Sequence, residues 1–269
     1  MTLYSAIETD TSYKYLQQII KILNEPICIL GGWAVYLTVN SNFKKSEGRN
    51  YLGSKDIDLG FHIDLSLNKS QLKNTTMAKS LEKIEKDGFK PQSFRYYKEI
   101  HYETGKELTP EEIKTTPSHN IFPMYIDPMV DNIHPDFKEI FGFNPADESL
   151  LIPVFQNKNY RNKLHEFNKN LWLPTSDILL ATKIKSLPTR PKGNKLIKDI
   201  CDIYALSWYS GIDYKILKTK SKTHIDNDII KKIKAITSRE KDIFEKAQTA
   251  MDIDARTIQN LLKDLLDVK

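Results

Sequence analysis

A chain of 269 residues with 40% hydrophobic side chains can fill one large core or two modest ones, which excludes a disordered polypeptide. A net charge of +5 with a pI near 8.9 is too slight to define a nucleic-acid protein, yet it suits a polyanionic substrate. Cys28 and Cys201 both sit in apolar patterns, so a disulfide framework is not expected. No apolar run approaches the ~20 residues that cross a bilayer. The N-terminus carries Glu8 and Asp10 instead of a basic-then-apolar leader, so a cytoplasmic protein without membrane contact is expected.

In chain order, Tyr15, Ile19, Ile20 and Leu23 share a face at helical spacing, and the spacing predicts a helix over 12–24 that Pro26 ends. Ile27 to Leu30 is short and evenly apolar, as a strand in the centre of a sheet should be. Gly31 and Gly32 let the backbone turn and approach a ligand closely, and a helix from Trp33 to Val39 aims its N-terminal N–H groups there. Residues 40–54 are polar and read as a loop with a basic edge at Lys44, Lys45 and Arg49. In the strand that follows, period two places Asp56 and Asp58 on one side, while Ile57 and Leu59 face the core.

A helix over 77–88, an aromatic strand over 94–100 and a polar excursion over 103–120 come next. The run 121–130 reads as a strand that ends or bulges after Asp127, because Pro128 cannot donate to a ladder. From about residue 150 the texture becomes helical. Thr175 or Ser176 caps a helix over 178–187, and a second helix covers 196–209. Its apolar stripe of Ile197, Ile200, Cys201, Tyr204 and Trp208 leaves Asp199 and Asp202 together on another face. The remainder alternates Lys-rich turns with amphipathic segments that end in Leu261, Leu262, Leu265 and Leu266, a helical region. The lysines from Lys218 to Lys234 are more often a solvated face than an RNA contact.

Two aspartates on one strand with a third, Asp127, on another are oxygen ligands of the kind that bind Mg²⁺ beside a triphosphate, and the Gly31-Gly32 turn would cradle the outer phosphates. Each component has an ordinary reading: surface carboxylates, a strand-to-helix turn, an Asp that initiates a turn before Pro128. Asp131, four residues on, competes with Asp127 as the third carboxylate. His62, His101, His119, His134, His165 and His224 have no metal-ligand spacing.

The order of strand, Gly31-Gly32-Trp33-Ala34, and Asp56-Ile57-Asp58 resembles the signature of the nucleotidyltransferase superfamily that shares the DNA polymerase beta fold. The stretches 179–187, Arg190 and 198–206 resemble the downstream Lys and Asp motifs of AbiEii-type toxins of type IV toxin–antitoxin systems. The resemblance implies an α+β fold, a small mixed β-sheet nucleotidyltransferase core flanked by helices. A catalytic domain would span 1–150, and a mainly helical domain over 151–269 would complete the cleft. It implies Asp56, Asp58 and Asp127 as metal ligands and Gly31 and Gly32 on the phosphate side. Lys183 and Arg190 would lie on the nucleotide, with Asp199 or Asp202 completing the late motif.

Lys185 competes with Lys183, which shares a face with Leu179, Leu187 and Arg190; Asp199 and Asp202 have an ordinary reading too, as partners of Lys195 and Lys198. The implied cofactor is Mg²⁺, or Mn²⁺ in its place. The implied substrate is an NTP, and the acceptor is a hydroxyl, RNA or a tRNA end first, a small molecule or protein second. An antitoxin would be the partner. A nucleotide- or RNA-binding module without catalysis is the rival of a different class. The resemblance departs from the common pattern in having Gly32 where Ser is usual, and in the long spacing between Gly32 and Asp56.

Overall fold

The computed structural model describes residues 3–191, 193–239 and 241–267; the side chains of 234–239 and 241, Lys234 among them, lie outside the described residues. The fold is α+β, with a mixed sheet, flanking helices and a helical C-terminal region, as the sequence leads one to expect. The chain divides into two units, one made of Ala6–Trp33 and Gly53–Pro174, the other of Ala34–Leu52, Thr175 onward and the N-terminal residues.

The first unit holds helix α1 (Ala6–Ile22), strand β1 (Ile27–Ile29), the start of helix α2 (Gly31–Glu47) and strand β2 (Ile57–Phe61). Helices α3 (Lys69–Leu72) and α4 (Thr76–Lys86) follow, then strands β3 (Lys90–Gln92) and β4 (Arg95–His101), helix α5 (Pro110–Thr115) and strand β5 (Ile121–Val130). Helix α6 (Phe137–Phe141), strand β6 (Ala146–Asp147), helix α7 (Leu151–Gln156) and the hairpin β7 (Arg161–Glu166) and β8 (Lys169–Pro174) complete it. The strands run in the order β3-β4-β5-β2-β1-β8-β7, with β6 paired to β5. β1 is therefore central, and its three residues are all buried, as their unbroken apolar character requires.

Several elements differ from their sequence-based expectation for identifiable reasons. The loop expected over 40–54 is helical as far as Glu47, because Val35, Val39 and Phe43 recur every four residues and are buried, whatever the polarity between them. Gly48 then ends the helix at φ +69°. The excursion 103–120 contains α5, whose start is a capping box: the Thr109 hydroxyl accepts from Glu112 N–H, the Glu112 carboxylate accepts from Thr109 N–H, and Pro110 stands in the first turn.

β5 does not end at Asp127. Its ladder with β4 spans Ile121 to Ile126 and its ladder with β6 starts at Met129, so on that edge Pro128 falls between the two, while the ladder with β2 continues from Ile126 to Val130. The hairpin β7–β8 was not expected, since Leu171-Trp172-Leu173-Pro174 reads as the approach to a helix; β8 instead pairs in parallel with β1.

The second unit contains the rest of α2 and helices α8 (Ser176–Ser186), α9 (Asn194–Tyr209), α10 (Tyr214–Lys222), α11 (Asn227–Arg239), α12 (Lys241–Met251) and α13 (Ala255–Leu265). α9 is buried on every side from Leu196 to Ser207, which is why it carries apolar residues beyond one stripe. Trp208, assigned to that stripe, is instead half exposed and stacks on Tyr214. Ile258, Leu261, Leu262, Leu265 and Leu266 are all buried, as their spacing in the C-terminal helix predicts. Both cysteines are free and buried, and burial pushes each thiol up to about 12.

Candidate functional site

The sheet unit brings Gly31, Asp58 and Asp127 together. β2 and β5 are parallel and in register, so Asp58 lies directly beside Asp127, and both project from one face. Asp131, four residues on, is turned to other work. Its buried carboxylate accepts from the Ile63 N–H at 2.9 Å and meets His62 Nδ1 at 2.5 Å. Asp127, not Asp131, is thus the neighbour of Asp58. Asp56 is the residue just ahead of β2 and is partly exposed, as is Asp58.

Gly31 opens α2 with φ +57°, a conformation that an L side chain rarely adopts. A Cβ at that position would stand 1.8 Å from Asp58 Oδ2 and 2.5 Å from its Cγ. The glycine is therefore needed twice, for its backbone angle and because the Asp58 carboxylate occupies the space beside its Cα. Leu30 N–H donates to the Asp58 carbonyl at 2.9 Å, which fixes the strand end against β2. The N-terminus of a 17-residue helix beside the carboxylate supports negative charge there. Gly32 follows as the second helical residue and is buried.

Arg95 is a member of this site that the sequence did not single out. The β4–β5 register pairs Tyr96 with Ile126; continued by one residue it sets Arg95 opposite Asp127. Its guanidinium Nη2 donates to Asp127 Oδ2 at 2.7 Å. The guanidinium also lies 4.7 Å from the Phe94 ring centroid and 4.3 Å from that of Tyr125. Arg95 stands in the aromatic strand Phe94-Arg95-Tyr96-Tyr97, and a cation there was the available signal. The row runs Arg95, Asp127, Asp58 with Asp56 at its margin, and Lys55, the residue before Asp56, is 3.1 Å from Glu8.

The donors at this row are hard oxygens, the type that Mg²⁺ and Mn²⁺ take. Among the described residues no group of three or more His, Cys, Asp or Glu is arranged to hold a metal ion. What the site offers is an adjacent pair, Asp58 and Asp127. That fits Mg²⁺ in its usual protein setting, where one or two carboxylates hold it and substrate phosphates and water complete the shell.

The other four sequence candidates, Lys183, Arg190, Asp199 and Asp202, come together within the helical unit. Lys183 Nζ is 2.7 Å from Asp199 Oδ1 and 2.8 Å from Asp202 Oδ2. Arg190 Nε and the Ser186 hydroxyl donate to Asp199 Oδ2 at 2.7 and 2.9 Å. Asp202 Oδ1 accepts from the Tyr51 hydroxyl at 2.7 Å and is paired with Lys198, one turn back on α9. Both carboxylates are buried, and so are Lys183 and Lys198, whereas the Arg190 side chain is 37% exposed.

Burial acts to raise the Asp199 carboxyl, but Lys183 and Arg190 outweigh it and hold the group down at about 2. Burial likewise disfavours the Lys183 ammonium, and Asp199 and Asp202 reverse that, so its pKa stands above the usual lysine value. The Tyr51 hydroxyl is pushed well up, by burial first and by Asp202 second. The Asp202–Lys198 pairing of the ordinary reading is present, and Asp199 is met from α8 and the turn after it by Lys183, Ser186 and Arg190. This constellation is internally neutralised and locks α8, α9 and the segment after α2 to one another within their unit.

No family model matches the sequence, and no curated protein matches it. A solved structure similar to this chain is the crystal structure of an antigenic nucleotidyltransferase-like protein from Paracoccidioides brasiliensis, 15% identical over 92% of this chain and 93% of that one, with a TM-score of 0.42. At that level of likeness no residue and no substrate is assigned.

Proposed function

We propose that the protein is a nucleotidyltransferase that moves a nucleoside monophosphate from an NTP to an acceptor hydroxyl, with pyrophosphate leaving. The observation that carries this reading is the Gly31–Asp58–Asp127 arrangement: a glycine whose missing Cβ is replaced by a carboxylate, at the start of a long helix, with a second carboxylate in register beside the first. Asp58 and Asp127 would hold Mg²⁺, with Asp56 contributing at the margin, and the ion when bound would neutralise charge on the phosphates. The Gly31-Gly32 backbone lets a phosphate come close to the α2 N-terminus without a side chain in the way. Alignment of acceptor and phosphorus, together with electrostatics, supplies most of the rate in such transfers.

RNA, a tRNA end in particular, is the first acceptor to test, since the chain is basic overall with a net charge of +5. The resemblance of the motifs on α8 and α9 to AbiEii-type toxins makes an antitoxin the partner to look for. Lys183 serves here as a positioning residue, because its ammonium is committed to two buried carboxylates. A second reading is favoured by the Arg95–Asp127 ion pair, which leaves one carboxylate of the pair already neutralised: a nucleotide- or RNA-binding module without transfer. No helix among the described residues is long and apolar enough to cross a membrane.

The test is to incubate the protein with each α-labelled NTP, Mg²⁺ and either cellular RNA, protein or the protein alone, beside Asp58→Asn. Label should move to one acceptor class and fall by at least about a hundredfold in the variant, the scale expected when a main electrostatic group at the reacting centre is lost. NTP binding without any transfer would select the second reading. Full transfer by Asp58→Asn would remove the metal role from Asp58.

A further inference from the structure

The geometry points to Arg95 as a built-in counter-cation that competes with a divalent metal ion for Asp127, so that the site is held in a metal-poor state until the guanidinium lets go. This rests on the reading above, that Asp58 and Asp127 form the metal-binding pair. Three observations lead to it. Nη2 of Arg95 is 2.7 Å from Asp127 Oδ2, and the two side chains are only 17% and 11% exposed, so the contact is shielded from water and salt. The row is ordered Arg95, Asp127, Asp58 across three neighbouring strands, so the guanidinium approaches Asp127 from the side opposite Asp58. Finally, the guanidinium is poorly satisfied beyond that one bond: Nε is buried with no hydrogen-bond partner, and its faces lie against Phe94 and Tyr125.

A carboxylate oxygen shared with a guanidinium is a poorer ligand for a second cation, because the positive charges repel and the lone pair is already engaged. Metal entry at Oδ2 of Asp127 thus has to displace or stretch the Arg95 contact, and entry at Oδ1 meets the guanidinium charge across the same carboxylate. The released side chain keeps its ring contacts, so it stays beside the site. There it can neutralise another anion, and the phosphates of the proposed substrate are the class that its fork matches. Metal binding and phosphate binding are on this view coupled through one residue: phosphate draws Arg95 off Asp127, and the vacated oxygen accepts metal.

The experiment counts free Mn²⁺ by its aqueous electron paramagnetic resonance signal in the presence of the full chain, without any transfer assay. Arg95→Gln keeps the stem against Phe94 and Tyr125 and removes the charge; it should bind Mn²⁺ about tenfold more tightly than wild type, a change that corresponds to one modest ion pair. Arg95→Lys should behave as wild type. The double variant Arg95→Gln/Asp127→Asn should lose the gain, because the guanidinium acts through Asp127 alone. In wild type, inorganic pyrophosphate should tighten Mn²⁺ binding beyond its own complexation of the ion, and it should do so less in Arg95→Gln. If Arg95→Gln leaves Mn²⁺ affinity unchanged or lowers it while Asp58→Asn abolishes binding, the competition is overturned and the metal pair stands. If Asp58→Asn binds Mn²⁺ as wild type does, the metal reading itself falls and the competition with it. Circular dichroism of each variant confirms that the fold is retained.

Discussion

Two acidic pairs look alike in the sequence and do opposite things in the folded protein. Asp56 and Asp58 are two residues apart ahead of and within a strand, partly exposed, in a row that Arg95 meets at Asp127. Asp199 and Asp202 are three residues apart on a helix, wholly buried, and met by Lys183, Lys198, Arg190, Ser186 and Tyr51. In the second case two carboxylates face three cations, so the charge is balanced within the cluster. In the first case both carboxylates lie at a place that water and ions reach. The difference teaches that two acidic motifs of similar spacing are told apart by what the fold sets around them. Burial alone does not decide, since Asp127 is buried and still lies beside the partly exposed Asp58.

The sharpest way to break this comparison is to remove one carboxylate from each pair and measure stability by urea denaturation. Asp202→Ala takes one of two carboxylates from the buried Lys183 and the paired carboxylate from the buried Lys198, and should destabilise by about 3–5 kcal/mol. An equal loss from Asp58→Ala would mean that the two regions do not differ in kind. The acid limb of the stability curve separates them next. Asp199 is held down at about 2, below its unfolded value, so its contribution is present at neutral pH and is lost as pH falls from about 5 through about 2. On the order of 2 kcal/mol should disappear over that window, and the loss should be absent in Asp199→Asn, whose curve starts lower.

Gly31→Ala tests the sheet side. The added Cβ must push Asp58 away and hold a φ of +57°, which should cost about 1–3 kcal/mol and misplace the carboxylate, lowering transfer with it. The smallest stability effect belongs to Asp58→Asn, within about 1 kcal/mol, as expected of a partly exposed group. A large loss there would turn Asp58 into a structural residue like Asp202.

Much of the sheet site was legible before the structure. Gly31, Asp58 and Asp127 follow from a short apolar run ending in glycine, a period-two carboxylate and an Asp on a later strand, all local signals. Arg95 was not legible, because its role depends on a register between strands β4 and β5 that are separated by α5 and its flanking loops. The hairpin β7–β8 escaped for a related reason: Leu171-Trp172-Leu173-Pro174 is ambiguous until its pairing with β1 is known. The second half of α2 was hidden by its polar surface, although the four-residue recurrence of Val35, Val39 and Phe43 was there to be read.

By itself the sequence determined the fold class, the central strand and its glycine turn, the helices after residue 175 and the membership of both acidic pairs. These are matters of period, punctuation and residue type within a dozen neighbours. Only the tertiary structure decided which distant groups meet the acidic residues. That outcome rests on charges brought in from distant segments, Tyr51 and Lys183 to Asp202, Arg95 to Asp127, and Coulomb interactions between groups far apart in the chain have no signature in the spacing of either one.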